Sequence, residues 1–193
     1  MKKSLFAVFI LAIVMSSCGK LGKKNDTLVI NKAFDQYITA FTSGVISSHD
    51  AIQVVFEPDF AATINKSNTQ DIFSFSPSIK GTTEWIDDIT LVFKPDKPMS
   101  SATSYTGKMN LGKLAKVDKS LSSFPISFMT LTKAFSVNID PLVCELPSGD
   151  SYSLEGDVLT SDIIESKDIE SFFSFNLGGK NLQAQWSDRK SVV

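Results

Sequence analysis

Ile52-Gln53-Val54-Val55-Phe56 and Ile89-Thr90-Leu91-Val92-Phe93-Lys94 decide the fold class of this 193-residue chain. In the first, Ile52, Val54 and Phe56 alternate with Gln53 and Val55. In the second, Ile89, Leu91 and Phe93 alternate with Thr90, Val92 and Lys94. Successive side chains of a strand point to opposite faces, so each run offers an apolar face to a shared core. The same alternation recurs at Tyr105, Met109 and Leu111 and at Phe124, Ile126 and Phe128. Turn chemistry separates the runs: Ser43-Gly44, Glu57-Pro58-Asp59, Ser76-Pro77-Ser78, Lys80-Gly81, Asp87-Asp88 and Lys94-Pro95-Asp96-Lys97-Pro98. The best helical candidate is the short stretch Ser166 to Phe172. Short strands at this spacing predict an all-β chain built as an antiparallel β-sandwich.

The runs divide near Thr132-Lys133-Ala134, giving a first sandwich over 33–132 and a partial second one over 133–187. The short join implies restricted relative motion rather than a loose string. The second segment loosely echoes the first: Asp71-Ile72-Phe73-Ser74-Phe75 precedes Trp85, and Ile169 to Phe175 precedes Trp186. There are 15 phenylalanines but three tyrosines. Phe73, Phe75, Phe93, Phe124 and Phe128 recur at core-facing intervals, and Phe lacks the polar handle of a sugar-binding platform, so they are assigned to the core. The final six residues, 188–193, can be encoded by GAT CGG AAG AGC GTC GTG, which resembles a common sequencing-library adapter. They are expected to be a non-native tail, with the natural chain continuing beyond Ser187; the alternative is a natural polar tail.

Lys2 and Lys3 precede an apolar run from Leu5 to Val14, and Met15-Ser16-Ser17-Cys18 follows. A basic pair before a short apolar stretch is a secretory signal, and the run falls short of the ~20 residues of a membrane span. The serines and cysteine resemble a bacterial lipobox, with Met15 where leucine is usual. The resemblance implies removal of residues 1–17 and acylation of Cys18, whose lipid would anchor the chain in the bilayer. Residues 18–32 form a polar tether. Gly19-Lys20 rather than aspartate follows the cysteine, which points to the outer membrane, facing the periplasm. Lys20, Lys23 and Lys24 read as part of the solvated tether.

With 19 basic and 21 acidic residues, the net charge of −2 offers no footprint for nucleic acid. Cys144 then has no partner for an internal disulfide and is expected to be a buried small residue of a strand. The single histidine, His49, sits in Ser47-Ser48-His49-Asp50, read as an exposed loop without a triad. No Cys/His spacing suits zinc, and no cofactor is implied. Gly178-Gly179-Lys180 reads as a tight turn between strands rather than a phosphate loop. Asp87-Asp88, and Glu57 and Asp59 around Pro58, read as solvated turn carboxylates. No catalytic set emerges.

Four stretches carry a family resemblance: Phe41 to Ser47 with Ile52 to Phe56; Phe73 to Gly81 with Trp85; Leu91 to Asp96; and Tyr105 with Asn110 to Leu114 and the strand Phe124 to Phe128. Together they resemble the N-terminal region of bacterial alpha-2-macroglobulin family lipoproteins. The resemblance implies tandem Ig-like, macroglobulin-like sandwiches at the membrane-proximal start of a protease trap. It also implies later domains of the same natural chain and, for the full-length protein, proteases as partners. Members often capture through a Cys-Gly-Glu-Gln thioester, which Cys144-Glu145-Leu146-Pro147 does not match, and no bait region can be assigned. The alternatives are a self-contained Ig-like envelope lipoprotein binding glycan or protein, with Trp85 and Trp186 as contact residues, and a module that pairs a partner strand onto its sheet edge.

Overall fold

The computed structural model describes residues 29–145 and 151–187. The leader, Cys18, the three tether lysines and the 188–193 tail lie outside the described residues. The alternating runs become strands. In chain order these are β1 (Ile38–Phe41), β2 (Gly44–Ile46), β3 (Ile52–Phe56), β4 (Phe73–Ser76), β5 (Gly81–Trp85), β6 (Thr90–Pro95), β7 (Ser104–Asn110) and β8 (Ser123–Thr130). The two deciding stretches are antiparallel neighbours, with Ile52 opposite Phe93 and Val54 opposite Leu91.

Two four-stranded sheets result, ordered β1-β3-β6-β5 and β2-β8-β7-β4. The chain crosses between them at Thr42-Ser43, so that β2 runs parallel to β8. Lettered in chain order with a split first strand, the sheets are A-B-E-D and A′-G-F-C, the immunoglobulin arrangement. Tyr105, at the start of β7, supplies a second hallmark. Its hydroxyl accepts a hydrogen bond from the Ser100 amide five residues upstream at 3.1 Å, the corner that pins this connection in such folds.

Phenylalanine fills the space between the sheets. Phe124 meets the edges of Phe34 and Phe41, each at 5.0 Å between centroids. Phe75 lies 5.1 Å from Phe93, and Tyr105 stacks on Phe128 at 5.3 Å. Ile52, Val54, Phe56, Leu91 and Met109 are fully enclosed. Aromatic pairs at these separations add about 0.5–1.5 kcal/mol each beyond area burial. β6 departs from simple alternation, because Thr90 and Val92 are buried as well as Leu91 and Phe93. It is flanked by β3 and β5, so neither of its edges is free.

Beyond Thr130 the strands pair two by two. β9 (Phe135–Ile139) pairs with β12 (Gly156–Thr160), β10 (Val143–Glu145) with β11 (Ser151–Ser153), and β13 (Phe175–Leu177) with β14 (Lys180–Leu182). The last pair turns at Gly178 and Gly179, with φ of +58° and +80°. A two-residue hairpin needs positive φ at both positions to match strand twist, and glycine adopts it without a Cβ clash. A short helix α1 (Pro58–Ala61) follows β3 with Glu57 as its N-cap, and α2 (Ser166–Glu170) lies within the helical candidate.

Two expectations are corrected. Phe73–Ser76 is a strand, but Ile169 and Glu170 belong to α2, so the echo between segments does not extend to structure. Cys144 is exposed rather than buried. Among the described residues its strand pairs with β11 alone, and no further layer covers that two-stranded ribbon, which leaves Cys144 to solvent.

Candidate functional site

Ser47 and Ser48 follow β2 in a turn that Asp50 closes, its carboxylate accepting from the Ser47 amide at 2.8 Å. Ser48 is fully buried, and its carbonyl accepts from the Met99 amide at 2.8 Å. His49 is exposed, as its loop reading expects, and its Nδ1 lies 3.1 Å from Ser48 Oγ of the same turn. A remote residue that sequence reading did not find completes the cluster. Asp162, just after β12, is buried against this turn. Its Oδ1 accepts from Ser47 Oγ at 2.5 Å and its Oδ2 from the Ser48 amide at 2.9 Å. The Ile163 amide donates to Oδ1 at 2.8 Å.

Burial alone would raise the Asp162 carboxyl. The hydrogen bonds from the Ser47 hydroxyl, the Ser48 amide and hydroxyl, and the Ile163 amide outweigh it and bring the group from 3.8 to about 2. Asp162 is thus a fixed anion. A relay would need the carboxylate on the histidine, with the imidazole poised to take the serine proton. Here the carboxylate binds one serine hydroxyl and the next residue's amide, while His49 meets Ser48 from its own turn. The arrangement joins two parts of the chain.

The remaining sequence candidates fall into structural places. Asp87 accepts from the amides of Ile89 at 2.8 Å and Thr90 at 2.6 Å, shaping the β5–β6 turn. Those bonds, the Ile89 amide first, hold its carboxyl below the ordinary value. Asp88 pairs with Lys66 at 2.9 Å in the open. Glu57 and Asp59 stand at the start of α1. Among the described residues no group of three or more His, Cys, Asp or Glu side chains could hold a metal ion.

The two tryptophans separate. Trp85 packs its ring on Phe56 at 5.5 Å, with the Lys66 ammonium 5.5 Å above it, so it belongs to the sandwich rather than to an open platform. Trp186 is 40 % exposed and sits beside Phe173 and Phe175 at 5.6 and 6.4 Å. Phe173 also meets Phe135, which stacks on Phe172 at 6.2 Å. Val137 and Ile139 continue the Phe135 face of β9, and all three are substantially exposed. An apolar ridge of this extent exceeds the scattered hydrophobes normal on a folded surface.

No family model matches the chain, and no curated protein does. The solved structures similar to it include L,D-transpeptidase 3 from Mycobacterium tuberculosis with a faropenem-derived adduct, at 15 % identity and a TM-score of 0.33, covering 53 % of this chain and 40 % of that one. The same enzyme at 1.32 Å resolution gives 15 % identity and the same TM-score, over 51 % and 38 % of the two chains. An L,D-transpeptidase from M. tuberculosis H37Rv gives 14 % identity and 0.33, over 51 % and 41 %. The chain spans about two fifths of the length of these proteins. Likeness at this level says nothing about chemistry.

Proposed function

We propose that this chain is the membrane-anchored N-terminal scaffold of a bacterial alpha-2-macroglobulin-like protease trap, without thioester or bait region of its own. The carrying observation is the apolar ridge Phe135, Val137, Ile139, Phe172, Phe175 and Trp186, exposed on the two-stranded ribbons and the segments that flank them, beyond a complete Ig-like sandwich. Leaving such a surface in water costs free energy, and a patch of this kind marks a place where something packs. In this reading later domains of the same natural chain do so, and acylated Cys18 holds the assembly at the outer membrane, facing the periplasm. Burying the exposed part of four aromatic side chains and two aliphatic ones would contribute several kcal/mol at about 25 cal/mol per Å².

A self-contained envelope lipoprotein that binds glycan or protein is the second reading, and exposed Trp186 is the observation in its favour. Sequencing the natural locus past the codon for Ser187 separates the two. A continuing frame with a bait-like segment or a thioester motif is the expected result. A stop within a few strands would overturn the trap reading. The present chain alone is expected not to inhibit azocasein cleavage, since it holds no reactive part.

A further inference from the structure

The geometry points to a rigid joint between the first sandwich and the second segment, with Asp162 as the pin that fixes their relative orientation. Three sets of contacts converge on it. First, the connecting residues are tied down one after another. The Leu131 amide donates to the Ile46 carbonyl at 2.9 Å, and the Leu131 carbonyl accepts from the Ala102 amide and the Ser101 hydroxyl at 3.0 and 3.1 Å. The Lys133 amide donates to Ser101 Oγ at 2.8 Å. Second, Ser161 grips the far side. Its hydroxyl donates to the Thr132 carbonyl at 2.6 Å and accepts from the Ala134 amide at 2.9 Å. Its own amide donates to the Ala134 carbonyl at 3.0 Å. A flexible linker leaves such groups to water, whereas a joint uses them.

Third, the pin closes the loop. Residues 132–134 alone would form a hinge, about which the β9–β12 ribbon could swing. Asp162 adds a second attachment from the neighbouring strand at the same end of that ribbon, through Ser47 Oγ and the Ser48 amide, into a turn of the first sandwich. Two attachments on separate strands resist rotation that one would allow. The turn is itself braced, because buried Ser48 accepts from Met99 in the β6–β7 loop. A charged acceptor with short, buried bonds is among the stronger hydrogen-bonding arrangements available. Asp162 is thus a positioning residue, and the joint does not depend on what the chain is tethered to.

Pulsed electron spin resonance on the full chain tests this. Nitroxides are placed on exposed sites in each part through Lys108→Cys and Asp157→Cys, with Cys18→Ser and Cys144→Ser removing other thiols. The parent is expected to give one narrow distance distribution. Asp162→Asn is expected to broaden it and shift its mean, while amide exchange in β7 and β8 stays protected. An unchanged narrow distribution in Asp162→Asn overturns the proposal. Should that variant lose protection in β7, Ser47→Ala is decisive. It removes one arm of the pin and must broaden the distribution, and if it does not, the pin is wrong.

Discussion

At one carboxylate, hydrogen bonding outweighs burial. Asp162 loses hydration on burial, yet hydrogen bonds from two serines and its neighbour's amide hold its carboxyl at about 2 instead of 3.8. Protonation is then harder in the folded chain than in the unfolded one. Its stabilisation is fully present above pH ~4 and is lost as pH falls through about 2, amounting to roughly 2 kcal/mol. Urea unfolding at a series of pH values, followed by a probe in the second segment, should show this slope for the parent. Asp162→Asn should lose roughly 1–3 kcal/mol at neutral pH, because one face of the amide presents donors to donors. Its stability should also vary less between pH 4 and 2. A variant with the parent's slope would assign the acid sensitivity to other carboxylates. Asp118, which accepts from the Ser120 hydroxyl and amide, is also held below the ordinary value but lies fully in solvent and spans only its own turn.

Among the elements, β7 depends on a residue with no side chain. Gly107 faces Phe75 across the β4–β7 pair, and a Cβ there would come within 2.5 Å of the Phe75 ring and the Ser74 carbonyl. The ring covers the glycine and continues toward Phe93 and Phe128. Gly107→Ala should therefore cost ~1–3 kcal/mol by overpacking, read as a lowered denaturation midpoint of the first sandwich. A variant as stable as the parent would mean that Phe75 moves aside freely. Alternation made β3, β7 and β8 legible, because each buries one face. It said less about β6, buried on both faces, where Val92 and Thr90 follow no polar–apolar rule. Periodicity did not reveal that the strand containing Cys144 lacks a covering layer, since a strand pattern says which residues share a face and not what lies opposite. The Asp162 pin was beyond such reading for another reason. Its partners are 114 and 115 residues away in the chain, and a lone aspartate after a strand carries no mark of them.

Taken whole, the molecule protects its first unit and leaves its second open. In the sandwich, edge strand β1 carries a bulge between Ile38 and Ala40, β2 is three residues long, β4 runs into Pro77, and β5 carries Glu84, paired with Lys94 on β6. Bulges, short strands, proline and charge are the devices that keep a sheet edge from adding a stranger's strand. β9 has none of them. Phe135-Ser136-Val137-Asn138-Ile139 is uncharged, and its register with β12 runs unbroken over five pairs. Every residue of β9 is exposed, and its outer edge has no partner among the described residues. A flat, uncharged, β-prone edge is a template for further pairing, so the chain should self-associate as concentration rises. Light scattering and binding of an apolar dye are the measurements. Val137→Lys puts a charge at the centre of the strand and should reduce both, while leaving the unfolding of the first sandwich unchanged. If association persists undiminished in Val137→Lys, the adhesive surface lies elsewhere, and β10 with exposed Val143 becomes the next strand to charge.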